Sequence, residues 1–190
     1  MTDRDSAIQG KPSESDRVPV KSWSFPHARQ QVLFWGLALT GVGLDLWTKK
    51  AIFMRLNVNG HINVIDNFMR FILAENDGAA FSLASGQQHL LVAVSTVALI
   101  AVICLFLLGQ ARSTMMTICL GLFAGGISGN LWDRVFNEGR VRDFIDVYVG
   151  NHHWPTFNVA DSLLCIAVGL MLISTLFTGQ PDPAHAQPQK

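Results

Sequence analysis

The chain has 190 residues, of which 49% are hydrophobic and only 15% charged, and its 14 basic and 14 acidic residues leave no formal net charge. An average soluble domain carries about 25% charged residues, so this composition points to a membrane setting. Neutrality without a basic run argues against nucleic acid as a partner, and three cysteines with no Cys-x-x-Cys or spaced Cys/His cluster give no sign of zinc; no metal and no cofactor is expected.

In chain order, residues 1–29 are polar, contain Pro12, Pro19 and Pro26, and mix acids with bases. They cannot bury enough apolar surface to order themselves, which predicts a disordered tail. The first apolar run begins around Val32 with no small-residue cleavage site after it, so it reads as a retained helix from about Gln30 to Ile52 rather than a cleaved leader. Its charge-free part, Gln30 to Leu44, is short for a span, which places Asp45, Lys49 and Lys50 near one interface. Between Arg55 and Gln87, the stretches Ile62 to Ile65 and Phe68 to Leu73, followed by Gly78-Ala-Ala-Phe81, predict a small, partly β-structured lobe on the membrane surface.

No Asp, Glu, Lys or Arg occurs from Gly78 to Ala111, Ser113 to Trp132 or Ser162 to Pro181. Each window can supply the roughly 20 apolar residues of a bilayer span, giving three further helices. Cys104, Cys119 and Cys165 lie deep within them, where a thiolate is disfavoured, and read as packing residues. On the third helix, Gly121, Gly125 and Gly129 recur at every fourth position and form a smooth stripe for a close neighbour. Above that stripe, Asn130, Asp133 and Arg134 share one side of the helix end. The next connection carries Tyr148 and Trp154, suited to an interface, and His152 and His153, read as exposed. Residues 30–178 thus form one domain, an all-α bundle of four transmembrane helices with a β-containing lobe between helices 1 and 2, and 179–190 form a second disordered tail.

Because consecutive spans alternate direction, both termini share one side and one membrane face collects nearly every reactive residue. The connection at that other side, around Gly109 to Ser113, is too short to host a site. Lys and Arg divide evenly between the two sides, so charge counting leaves the orientation open. Several carboxylates near a membrane are functional candidates, here Asp133, Asp143, Asp146 and Asp161. Two within a few ångströms in a partly dry site cannot both ionise, so one donates a proton while the other accepts one. That arrangement activates water against a peptide carbonyl, the logic of aspartic proteases. Plainer readings stand beside it: Asn158 or Asp161 as a helix cap, Asp45 and Lys49 as an ordinary i, i+4 ion pair, Asp133 and Arg134 as an interfacial charge pair, and Asp146 as a solvated loop residue. Spacing alone does not select the pair.

Five ordered segments resemble those of the lipoprotein signal peptidases, or signal peptidase II: Asp45-Leu-Trp-Thr-Lys49, Asn76-Asp-Gly-Ala-Ala-Phe-Ser82, Gly129-Asn-Leu-Trp-Asp-Arg134, Val141-Arg-Asp-Phe-Ile-Asp146 and Phe157-Asn-Val-Ala-Asp-Ser162. The resemblance covers about residues 30 to 178. It implies a bacterial membrane aspartyl endopeptidase that cleaves the signal peptide from diacylglyceryl-modified prolipoproteins, just before the lipid-modified cysteine. It puts the catalytic pair on Asp143 and Asp161. Asn76, Asn130, Asp133, Arg134, Asn158 and Ala160 match positions that shape the site or orient substrate, and Asp45 and Lys49 match the polar end of helix 1. It further implies cytoplasmic tails, a site at the outer face of the cytoplasmic (inner) membrane, and a diacylated prolipoprotein and membrane lipids as partners; a monomer is the expected state, which the sequence itself does not fix. The chain departs from the pattern at Glu75, Asp77 and Arg142. Arg142 would favour ionisation of Asp143 if their side chains meet.

The alternatives are a divergent member that binds lipopeptide without efficient cleavage, motivated by those departures, and a small proton-coupled transporter using intramembrane acids. The transporter requires acids at mid-bilayer on several helices, whereas these cluster at one end.

Overall fold

The computed structural model of the chain describes residues 25–78, 84–109 and 113–178. The tails expected at 1–29 and 179–190 lie outside them, apart from residues 25–29, as do Ala79 to Ser82 of the second family segment. The elements run α1 (Ala28–Arg55), β1 (Ile62–Ile65), β2 (Met69–Asn76), α2 (Gln88–Leu107), α3 (Thr114–Phe136), β3 (Val141–Val149), β4 (His152–His153) and α4 (Val159–Thr178). The first helix starts two residues earlier than expected, at a capping box of His27 and Gln30, and ends later because Lys49, Lys50 and Arg55 are good helix formers that continue it into polar sequence.

Among the described residues, α2, α3 and α4 are long and apolar enough to cross a membrane. In α1 the charges at Asp45 and Lys49 interrupt the apolar stretch, and both side chains are fully buried within the bundle, while Lys50 is exposed. The helices pack around a core of Phe34 and Ala38 from α1, Phe106 from α2, and Leu120 and Ala124 from α3. The rings of Phe34 and Phe106 stack with centroids 4.0 Å apart.

The glycine stripe of α3 does what its spacing predicts. A Cβ on Gly121 would lie 3.1 Å from the Phe34 carbonyl oxygen and one on Gly125 3.2 Å from that of Ala38, so this face receives α1 almost backbone to backbone. One position on, Gly126 faces α4, where a Cβ would come within 2.7 Å of the Ala160 carbonyl oxygen. Thus α3 is gripped on adjacent faces by α1 and α4.

The sheet is larger than the sequence suggests. It has four strands in the order β1-β2-β3-β4, each antiparallel to its neighbour. The strands expected near Ile62 and Phe68 are present, but β3 and β4 come from the connection between α3 and α4. The lobe is therefore built from both connections, because the open hydrogen-bonding edge of β2 is completed by β3. Alternation is masked in β3 because Val141, Asp143, Phe144 and Asp146 are all buried. Opposite Asp143, β2 takes three steps from Phe71 to Ala74 while β3 takes two from Ile145 to Asp143, a bulge of one extra residue beside the acid.

Substituting Gly126→Val places a branched side chain against the α4 backbone and should lower the stability of the bundle by about 1–3 kcal/mol. Gly43→Ala, where an added Cβ meets nothing within 4 Å, should leave it unchanged or raise it slightly. Thermal unfolding of both variants in detergent measures the difference.

Candidate active site

A buried ammonium organises the polar end of the bundle. The Lys49 Nζ donates to Asp45 Oδ2 at 2.7 Å and to Asn130 Oδ1 at 3.2 Å, and lies 3.0 Å from Asp133 Oδ2. Lysine offers only donors, so Asn130 must present its oxygen to Lys49 and turn its amide nitrogen outward. That nitrogen donates to Asp161 Oδ1 at 2.8 Å. Asp45 Oδ1 in turn accepts the Ala160 N–H at 2.9 Å, tying α1 to the first turn of α4. Gly129 makes room for this contact, since a Cβ there would meet the Asp45 carboxylate at 2.5 Å.

Asn158 and Asp161 form a reciprocal cap at the start of α4. The Asp161 N–H donates to Asn158 Oδ1 at 3.0 Å, and the Asn158 N–H donates to Asp161 Oδ2 at 3.2 Å. The capping reading of these residues therefore holds, and it orients rather than consumes the acid. The Asn158 Nδ2 also donates to Asp143 Oδ1 at 2.6 Å and to Asn130 Oδ1 at 3.1 Å. One side chain thus touches both aspartates of the expected pair. Burial pushes the Asp143 carboxyl up to about 7, and the negative charge of Asp161 adds to the rise; hydrogen bonds from Asn158 and Asn76 and the charge of Lys49 pull the other way.

Both acids face a cavity of about 750 Å³. Of the catalytic and substrate-binding residues expected from the sequence, Asn76, Asn130, Arg134, Asp143 and Asp161 line it. Asp45, Lys49, Asp133, Asn158 and Ala160 are fully buried and stand behind that wall. The Asn76 side chain accepts the Gly78 N–H at 2.9 Å, and Arg134 donates to the Gly78 carbonyl at 3.0 Å, so one turn of chain is pinned from two sides. The rest of the wall includes Trp154, Pro155, Thr156 and Phe157 before α4, and Leu164 and Cys165 on it. Leu164 and Cys165 follow Asp161 by three and four residues, a helical spacing that could have marked them. In the 154–157 segment the sequence marked only Trp154, as an interface residue, since loop geometry sets the approach of the rest.

Three sequence readings change. Asp133 does not pair with Arg134; it binds Lys49 and Arg142, whose backbone N–H reaches Asp133 Oδ2 at 3.0 Å and whose guanidinium holds Oδ1. Arg142 accordingly turns away from Asp143, as neighbours on a strand must. Asp146 is no solvated loop residue: it is buried on β3 between Arg70, at 2.7 Å, and His153, at 2.8 Å. Burial alone would raise its carboxyl, but hydrogen bonds and charge from His153 and Arg70 outweigh it and hold it below the ordinary value. His152 and His153 are exposed as expected, and among the described residues no His, Cys, Asp and Glu cluster suits a metal ion.

Apolar helices around a buried acid network, with a cavity opening at one end, define a membrane enzyme fold. A solved bacterial membrane enzyme superposes with a TM-score of 0.74 at 29% identity, covering 89% of this chain and 99% of its own. A second gives 0.69 at 30% identity, over 81% and 96%. The family model described as signal peptidase (SPase) II matches residues 37–177, and the chain belongs to that family. Among similar relatives, the lipoprotein signal peptidase of Rhodopirellula baltica is 38% identical, over 80% of this chain and 74% of its own length. That of Francisella tularensis subsp. novicida is 37% identical, over 79% and 95%, and that of Geobacillus thermodenitrificans 34%, over 81% and 96%.

Removing Lys49 leaves the fully buried carboxylates of Asp45 and Asp133 without their shared cation. Lys49→Met should therefore cost about 3–5 kcal/mol of stability, far more than an exposed substitution such as Lys50→Met. Chemical or thermal unfolding in detergent compares the two.

Proposed function

We propose that this chain is an aspartyl endopeptidase that removes the signal peptide from diacylglyceryl-modified prolipoproteins, cutting before the lipid-modified cysteine, with Asp143 and Asp161 as its catalytic pair. The observation that carries the reading is Asn158, whose amide reaches Asp143 at 2.6 Å while its N–H and side-chain carbonyl oxygen engage Asp161. Both acids open onto one cavity, and two carboxylates sharing a proton activate water without a sulfur or hydroxyl nucleophile. Family membership and the relatives' names support the substrate class.

In this mechanism Asp143, raised to about 7, holds the proton at rest. Asp161 is oriented through both oxygens by Asn130 and Asn158 and takes a proton from water as its oxygen attacks the scissile carbonyl. Asp143 protonates the carbonyl oxygen, giving a gem-diol. The gem-diol collapses as Asp161 returns its proton to the leaving nitrogen and Asp143 recovers one from a diol hydroxyl, which restores the resting pair. Asn76 and Arg134 line the same cavity and orient the peptide.

In the bilayer, α1 serves as a fourth span, its buried charges neutralised by one another rather than by water. The termini lie in the cytoplasm, and the cavity and sheet lie at the outer face of the inner membrane. There the acyl chains of the substrate hold its cysteine at interfacial depth, so that membrane anchoring of both partners supplies much of the positioning. The departures at Glu75 and Arg142 leave the acids untouched, since Glu75 pairs with Arg140 and Arg142 with Asp133.

Asp143→Asn and Asp161→Asn should each lower cleavage of a diacylated prolipoprotein in detergent by about a thousandfold or more while the protein still inserts. Near-normal cleavage by either variant would refute the pair. A carboxyl raised from 3.8 to about 7 keeps its proton until the pH reaches that value. The cleavage rate should accordingly decline as pH climbs through about 7, and Asp143→Asn should stay about a thousandfold or more below the parent wherever the parent is active. The same shift makes the stability contribution of this group full below 3.8 and lost as pH rises through about 7.

A further inference from the structure

A second set of polar side chains lies on the sheet, apart from the acid pair. Arg70 on β2 and His153 on β4 each grip one oxygen of the buried Asp146 carboxylate on β3, at 2.7 and 2.8 Å. The Tyr148 ring is stacked on the His153 imidazole with centroids 5.2 Å apart and carries the Arg70 guanidinium 4.9 Å from its own centroid. Four side chains thus lock three strands together, with Tyr148↔His153 and Arg70↔Asp146 as direct cross-strand pairs. Strand β4 has only two residues, too few for its ladder to hold it alone.

The residues just beyond β4 give the lock its consequence. Trp154 begins the segment that walls the cavity through Phe157. That segment is tied to β3 at its two ends, by the Trp154 N–H on the Val147 carbonyl at 2.9 Å and by the Phe157 N–H on the Ile145 carbonyl at 3.1 Å. Its start is therefore set by where β4 lies, and β4 is fastened by His153. An ionised Asp146 accepts only, so the proton of the shared hydrogen bond sits on His153 Nδ1.

We propose that His153 is a substrate-positioning residue: held by Asp146 against Tyr148, it fixes the Trp154 to Phe157 wall and thereby sets how tightly the cavity holds the peptide, without touching the reacting atoms. The inference rests on the peptidase reading of the cavity and deepens it. Loss of the clamp lets the wall shift while Asn158 and Asp161 remain fixed by their own cap and by Asn130. Binding then weakens and the chemical step does not.

The test is steady-state cleavage of a diacylated prolipoprotein peptide by the full-length protein in detergent. His153→Ala should raise KM about tenfold, the order expected for one hydrogen bond to a charged group, with kcat changed less than about twofold. His153→Asn, whose amide N–H can replace Nδ1–H at nearly the same place, should return KM to within about threefold of the parent. Peptide affinity measured by fluorescence anisotropy in the Asp143→Asn background should weaken by the same factor on adding His153→Ala. An unchanged KM, a fall confined to kcat, or no recovery with His153→Asn would each overturn the clamp. If Asp143→Asn itself cleaves normally, the catalytic assignment fails instead, and the KM comparison still judges His153.

Discussion

The ammonium of Lys49, fully buried where three helices meet, is the constraint on which the rest of the structure depends. A charge taken out of water is tolerated only when paired and hydrogen-bonded, and here two carboxylates and one amide oxygen surround it. Each of those partners has a second commitment. Asp45 holds the first turn of α4, Asp133 holds β3 through Arg142, and Asn130 is turned to face Asp161. The cation therefore fixes the mutual placement of the elements that bear the two aspartates.

This arrangement makes stability and chemistry hard to separate. The cap that starts α4 also orients Oδ2 of Asp161 while Asn130 holds Oδ1, and the close approach allowed by Gly126 and Gly129 brings that cap against α3. The bulge on β2 beside Asp143 serves the same placement, because an irregular ladder can bring a buried strand acid up to a helix terminus. Asn158 bridges the two acids because it belongs to both arrangements at once, as helix cap and as hydrogen-bond donor to the strand.

The sheet ties the connections between α1 and α2 and between α3 and α4 into one body, so the cavity has a helical floor and a wall of loop and strand. Two sets of ionised groups serve it from different places. The Lys49 set holds acids in position from within the bundle, and the Asp146 set fastens the short strand that leads into the wall. Their separation allows the two walls of one cavity to be perturbed independently.

Composition and periodicity alone determined the three apolar spans, the small-residue seam on α3, the convergence of polar residues at one end and the two strands after α1. These are local properties: charge-free length, i+4 spacing and alternation are written in adjacent residues. The ordered family segments also carried the candidate acids. Tertiary structure decided which charge meets which, since a carboxylate beside an arginine in sequence faces away from it on a strand, as Arg142 and Asp143 do, and a carboxylate in an apparent loop becomes buried once that loop pairs as β3, as Asp146 does. It also decided that Asn158 spans both acids and that residues 154–157 close the cavity. Such contacts join positions far apart along the chain, and only folding brings them within hydrogen-bonding distance.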